Sequence, residues 1–138
     1  MVKTYILDDQ IGFLLRRSQQ RHLTIFAEAM PDGLTAQQFA ALAKLRELGP
    51  CSQNALGRLT AMDNATISGV LTRLAERGLI ERTAQPDDRR MMQISLTPGG
   101  ETLVDRVLPI ARKITADTLA PLSAAEQTSL IALLRKIS

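Results

Sequence analysis

The stretch DNATISGVLTRLAERGLI, Asp63 to Ile80, decides how the chain is read. Ile67, Val70, Leu71 and Leu74 recur at helical spacing and form one inward face. The opposite face then carries Ala65, Ser68, Gly69, Thr72 and Arg73. Solvent alone does not ask for such a face. An exposed helix surface is ordinarily filled with Glu, Lys and Gln, and a mid-helix glycine costs roughly 1 kcal/mol relative to alanine. Alanine, hydroxyls and glycine together are expected where another surface comes close to the helix backbone.

The flanking segments give this helix a setting. Asp63 offers an N-cap, and Arg77-Gly78 supplies the glycine of a left-handed C-cap. Before it, Ser52 begins a short helix through Ala55, Leu56, Leu59 and Met62. After it, Leu79 to Ala84 and Met91 to Leu96 read as two strands joined by the turn-rich Gln85-Pro86-Asp87-Asp88-Arg89-Arg90. Short helix, turn, helix and charged hairpin, in that order, make a winged helix-turn-helix, whose second helix enters the DNA major groove. Small residues let the helix backbone sit close to phosphates, hydroxyls and Arg73 reach base edges or phosphate oxygens, and the Ala65 methyl meets a thymine methyl. The expected DNA contacts are Ser52, Gln53, Asn64, Ala65, Thr66, Ser68, Gly69, Thr72 and Arg73, with Asp88, Arg89 and Arg90 in the hairpin tip.

Outside this segment the chain reads as helices. One long helix is expected from about Ile6 to Met30, stopped by Pro31-Asp32-Gly33, with a seam of Ile11, Leu15, Ser18, His22, Ile25 and Ala29 at the spacing of helix-on-helix packing. Thr35 and Gln38 form a capping box for a second helix that ends at Gly49-Pro50. Thr97-Pro98 opens another, marked by Leu103, Val107, Ile110 and Ile114, and a second capping box at Ser123 and Glu126 opens an apolar last helix through Leu130, Ile131, Leu133, Leu134 and Ile137. These stripes offer more apolar surface than a small lobe covers, so a homodimer is expected. The fold class is mainly α with a small β-hairpin wing. Its 138 residues form a single domain, with helices at 1–32 and 98–138 serving dimerisation and 35–97 forming the lobe.

Composition bounds the chemistry. A net charge of +3 fits an anionic partner, but acidic residues nearly match the arginines between Ser52 and Thr97, so placement of charge matters more than its total. One His and one Cys make no structural zinc cluster, and neither a P-loop nor a nucleophile elbow occurs, so neither catalysis nor a metal cofactor is expected. No segment reads as a signal peptide or membrane span, and the expected location is cytoplasmic. The single cysteine, Cys51, has no internal disulfide partner; a thiol near a helix N-terminus can have a lowered pKa, which leaves a redox-sensing reading open.

LTAQQFAALAKL and DNATISGVLTRLAERGLIERTAQPDDRRMMQISLTPGGE together resemble the MarR (multiple antibiotic resistance regulator) family of bacterial transcription factors, over nearly the whole chain. The Asp-x-Arg of the wing falls on Asp88 and Arg90, followed by Leu96-Thr97 at the end of the strand. The resemblance implies a homodimer of intertwined terminal helices and a pseudo-palindromic operator, with Arg90 in the minor groove held by Asp88. It also implies release of a repressor by a small aromatic or phenolic acid between the dimer helices and the lobe. The candidate effector residues are Phe13, Arg16, Arg17, Ser18, His22 and Phe26, with Arg21 beside them; the arginines can bind a carboxylate, and the two phenylalanines can flank a ring. A satisfied polar pair in a dimer core explains Ser18 and His22 equally well. The rival to a ligand-responsive regulator is a ligand-independent architectural or protein-interaction module of winged-helix form.

Overall fold

A computed structural model describes residues 4–84 and 92–138. It contains α1 (Ile11–Ala29), α2 (Ala36–Leu48), β1 (Cys51–Ser52), α3 (Gln53–Leu59), α4 (Asn64–Glu76), β2 (Ile80–Ala84), β3 (Met92–Leu96), α5 (Pro98–Leu119) and α6 (Ala124–Lys136). The chain divides into two compact units, a lobe of Met30–Pro109 and a helical unit of Met1–Ala29 with Ile110–Ser138. No described helix is long and apolar enough to cross a membrane.

Local side-chain chemistry sets most element boundaries. The capping box of α2 is present in both directions, Gln38 N–H to Thr35 Oγ1 at 3.1 Å and Thr35 N–H to the Gln38 side chain at 3.2 Å. Its counterpart at Ser123 and Glu126 starts α6 in the same way. Asp63 Oδ1 accepts from Thr66 N–H at 2.7 Å and starts α4, and Gly78, at φ +71°, ends it in the left-handed conformation. Between α3 and α4 the chain turns through Ala61 at φ +57°, closed by Met62 N–H on the Gly57 carbonyl at 2.8 Å.

The lobe encloses one core. Leu42 of α2, Leu56 of α3, Ile67, Leu71 and Leu74 of α4, Ile94 of β3, and Val104 and Val107 of α5 are its largest fully buried side chains. The three strands are antiparallel in the order β1-β3-β2, with Cys51 opposite Ile94 and Arg82 also opposite Ile94 from the other side. Two glycines mark close approaches. A Cβ on Gly57 would lie 3.1 Å from Ile67 Cγ2, and one on Gly100 would lie 2.1 Å from the Leu79 carbonyl oxygen. Only the bare backbone lets α5 start where it does, with Thr97 Oγ1 donating to the Gly78 carbonyl and accepting from Gly100 N–H. Arg46 of α2 then holds the α5 start through Glu101 and Asp105, each at 2.6 Å.

Four expectations need correction. The first helix is interrupted: Leu7–Asp9 form a 3₁₀ turn, Gln10 is extended with its side chain donating to the Ile6 carbonyl, and α1 begins at Ile11. Ser52 lies in a two-residue strand as well as capping α3, which stops at Leu59 rather than reaching Met62. The start of α5, expected to serve dimerisation, belongs to the lobe up to Pro109. Accordingly Leu103 and Val107 are buried within the single chain, as is Ile114, and offer no free surface.

Candidate functional site

The period of α4 settles which of its faces is free. Ile67, Val70, Leu71 and Leu74 are buried, while Asn64, Ala65, Ser68, Gly69, Thr72 and Arg73 are exposed. A Cβ built on Gly69 would meet nothing within 4 Å. Internal packing therefore gives no reason for the glycine, and the close-approach reading keeps its physical basis. Thr72 Oγ1 donates to the Ser68 carbonyl at 2.9 Å, so part of the hydroxyl face is ordered on the helix itself. Thr66 is half-buried at the helix start. The Thr66 backbone N–H holds the Asp63 carboxyl below the usual carboxylate range, aided by the Thr66 side chain.

The remaining DNA candidates divide. Ser52 and Gln53 are half-buried at the start of α3, and Ser52 Oγ accepts from Ala55 N–H at 3.1 Å, which leaves its hydroxyl proton available. Asp88, Arg89 and Arg90 lie outside the described residues. Arg82 on β2 is a residue that the sequence reading missed. Its Nη2 reaches the Ser68 carbonyl at 3.3 Å and Thr72 Oγ1 at 3.2 Å, both on the free face of α4. Strand parity was the available signal, since Arg82 stands two residues after the buried Ile80 and shares its side of the sheet.

In the helical unit, the polar residues of α1 meet the end of α5. Arg21 donates to the Thr118 carbonyl at 2.6 Å and the Asp117 carbonyl at 3.0 Å, satisfying carbonyls that have no partner within the helix and placing positive charge at its negative end. His22 Nδ1 and Thr118 Oγ1 are hydrogen-bonded at 2.8 Å. A cavity of about 280 Å³ is lined by Ser18, Arg21, Thr118, Leu119, Pro121, Leu122 and Leu130. Of the sequence candidates for the effector, Ser18 lines this cavity, and His22 adjoins it through Thr118. Phe13 stacks under Arg17, 5.8 Å from ring centre to guanidinium carbon, Arg16 is exposed, and Phe26 is buried. Thr118 carried no sequence signal.

Cys51 is half-buried in β1, and burial pushes its thiol pKa up rather than down. The helix it was expected to precede begins two residues later, at Gln53, with Ser52 as its cap. A thiol held protonated in this way is a poor nucleophile, which removes the basis for the redox reading.

A lobe of this order, with one buried and one free face on its second helix and a β-hairpin after it, is the winged helix-turn-helix of transcription regulators. Residues 34–92 match the MarR family model. The transcriptional repressor NicR of Pseudomonas putida is 41% identical over 134 residues, covering 96% of this chain and 85% of NicR. A probable transcriptional regulator of Pseudomonas aeruginosa has a crystal structure with TM-score 0.94 and 53% identity, covering 96% of this chain and all of that one. A structure explaining how 6-hydroxynicotinic acid regulates DNA binding by Bordetella bronchiseptica BpsR gives TM-score 0.94 at 43% identity, covering 98% of this chain and 97% of BpsR. The chain belongs to the MarR family of transcriptional regulators.

Proposed function

We propose that the protein is a cytoplasmic, homodimeric repressor that holds a pseudo-palindromic operator with α4 and is released by a small hydroxylated aromatic carboxylate. The observation that carries the DNA part is the free face of α4, where Gly69 looks onto open space while the other face of the same helix is fully buried. Asn64, Ala65, Ser68, Thr72 and Arg73 share that helix and would touch bases and phosphates, with Thr66, Ser52 and Gln53 at the rim. Arg90 would enter the minor groove held by Asp88, as the family resemblance implies, with Arg89 beside them as a further DNA contact. The homodimer is supported by the exposed apolar residues of α1 and α6.

The effector class rests on likeness and chemistry. BpsR, similar over 98% of this chain, is regulated by 6-hydroxynicotinic acid. Here the cavity beside Ser18 and Arg21, next to His22, offers a carboxylate the guanidinium N–H groups that Arg21 has left after its two carbonyl bonds, and offers a ring hydroxyl the lone pairs of Ser18, whose own proton goes to the Leu14 carbonyl at 2.8 Å, in a volume suited to one aromatic ring. Phe13, Arg16, Arg17 and Phe26 enter the proposal as residues of the same helix.

The test is an electrophoretic shift with DNA taken from upstream of the protein's own gene, with and without 6-hydroxynicotinic acid. A retarded band that the acid disperses, together with a raised melting temperature of the free protein in the acid, is the expected result. Retardation that no hydroxylated aromatic acid disperses would leave an architectural DNA-binding protein instead. Arg90→Ala should reduce the salt slope of binding by about one unit per lost contact.

A further inference from the structure

The hydrogen-bonding capacity of Thr72 is nearly used up before any DNA arrives. A hydroxyl has one proton to give and two acceptor sites. The proton of Thr72 goes to the Ser68 carbonyl at 2.9 Å, and one acceptor site receives Arg82 Nη2 at 3.2 Å. What Thr72 still presents on the free face of α4 is one lone pair and a methyl group.

Arg82 is held for this task. It extends from β2 across to α4, where Nη2 also reaches the Ser68 carbonyl at 3.3 Å. Its Nε is buried and has no hydrogen-bond partner. Leaving a buried donor unpaired is unfavourable, and the side chain accepts this while its neighbouring nitrogen keeps both bonds to α4. The edge formed by Nε and Nη2, the fork that grips a phosphate side-on, is turned to the protein.

We propose that Arg82 is a positioning residue that sets the base preference of Thr72: by donating to one lone pair it stops the hydroxyl from rotating its proton off the Ser68 carbonyl, and so leaves the base an acceptor and not a donor. In the major groove, adenine N6 and cytosine N4 present amino donors, whereas guanine O6 and thymine O4 present acceptors. A Thr72 with its proton committed favours adenine or cytosine on the strand that it faces and rejects guanine and thymine there. This rests on α4 being the DNA-reading helix.

The test is selection of operators from a randomised duplex pool by the wild-type protein, Arg82→Met and Thr72→Val, followed by affinity measurements across a salt series. The wild type is expected to show, in each half-site, one position restricted to adenine or cytosine on one strand. Arg82→Met should relax that position alone, by about ten-fold in relative affinity, with the salt slope unchanged. Thr72→Val removes the hydroxyl at nearly constant size and should relax the same position, which keeps the test open if Arg82→Met does not fold. An unmoved preference in either folded variant would overturn the proposal. So would an Arg82→Met protein that binds all sequences more weakly and loses one unit of salt slope, because Arg82 would then be a phosphate contact. A wild type that selects no sequence at all would defeat the underlying reading of α4, and the proposal with it.

Discussion

Within the lobe, the central apolar stripes find their cover in the same chain, with Leu48, Leu59 and Met92 left open at its surface: Leu42 and Leu45 of α2, Ile67 and Leu71 of α4, Ile94 of β3 and Val104 of α5 are all nearly inaccessible. The helical unit is built from helices of the same kind, yet among its described apolar residues only Phe26 and Ile114 are buried. Ile11 is 63% exposed, Leu133 58% and Ile137 66%, with Tyr5, Ile6, Leu7, Leu14, Leu15, Leu23, Ile131 and Leu134 also open. Burying a Leu or Ile side chain stabilises by about 1.5–3 kcal/mol. The lobe has taken that contribution within one chain, and the helical unit still has it to gain. The difference teaches that the two units bury their apolar surface on different terms, one within the chain and the other by association.

The strongest blow to this comparison falls on the open stripe. Leu133→Asp combined with Ile137→Asp should turn the dimer into a monomer at tens of micromolar and weaken operator binding by at least about 100-fold, since a palindrome needs two readers. Sedimentation velocity and a binding titration check both parts. A dimer that survived the double change would mean that this stripe does not carry the association.

Gly69 and Gly100 sharpen the contrast from inside the lobe, because their surroundings are opposite. Gly69→Leu places a side chain in open space, so helix propensity should raise stability by roughly 0.8 kcal/mol while operator binding is lost through collision with the groove wall. Thermal melting and a shift assay on one preparation test it, and a destabilised protein would contradict an outward Gly69. Gly100→Ala drives a methyl into the Leu79 carbonyl and should cost roughly 1–3 kcal/mol or more, lowering the melting temperature. An unchanged melting temperature would show that the α5 start shifts freely.

The smallest effect concerns acid. Because the folded lobe holds the Asp63 carboxyl below its unfolded value of about 3.9, its stabilising effect is complete above that pH and is lost as pH falls through the lower folded value. Asp63→Asn keeps an acceptor for Thr66 N–H but cannot titrate. The variant should therefore be less stable than wild type at neutral pH, and the gap should close below about pH 4. Melting curves across the acid range would show a constant gap if the charge had no part in the cap.

Much of this architecture was legible because it depends on short-range chemistry. Thr35 with Gln38, Asp63, and Ser123 with Glu126 cap helices through partners three residues away, and the two faces of α4 follow from a 3.6-residue period. What escaped depends on distant neighbours. A strand of two residues, Cys51–Ser52, has no period to read, and exists because β3 passes beside it. Leu103 and Val107 looked like any other helix stripe, and nothing local says whether such a stripe is covered by its own chain or by another. In the candidate site, Ser68, Gly69 and Thr72 were readable from the helix face, whereas the bond from Arg82 to Thr72 required knowing which face of the sheet meets α4.

Cys51 is the only thiol in the protein, and it sits on the strand that pairs with the centre of the sheet. Half-buried and kept protonated, it should react slowly with a maleimide or disulfide reagent while β1 stays on β3. The native chain therefore carries a built-in clock: its labelling rate follows how accessible the β1 edge is, with no engineered probe and no second site to correct for. Timed with and without operator DNA or an aromatic acid, that clock reads changes at this edge of the lobe directly.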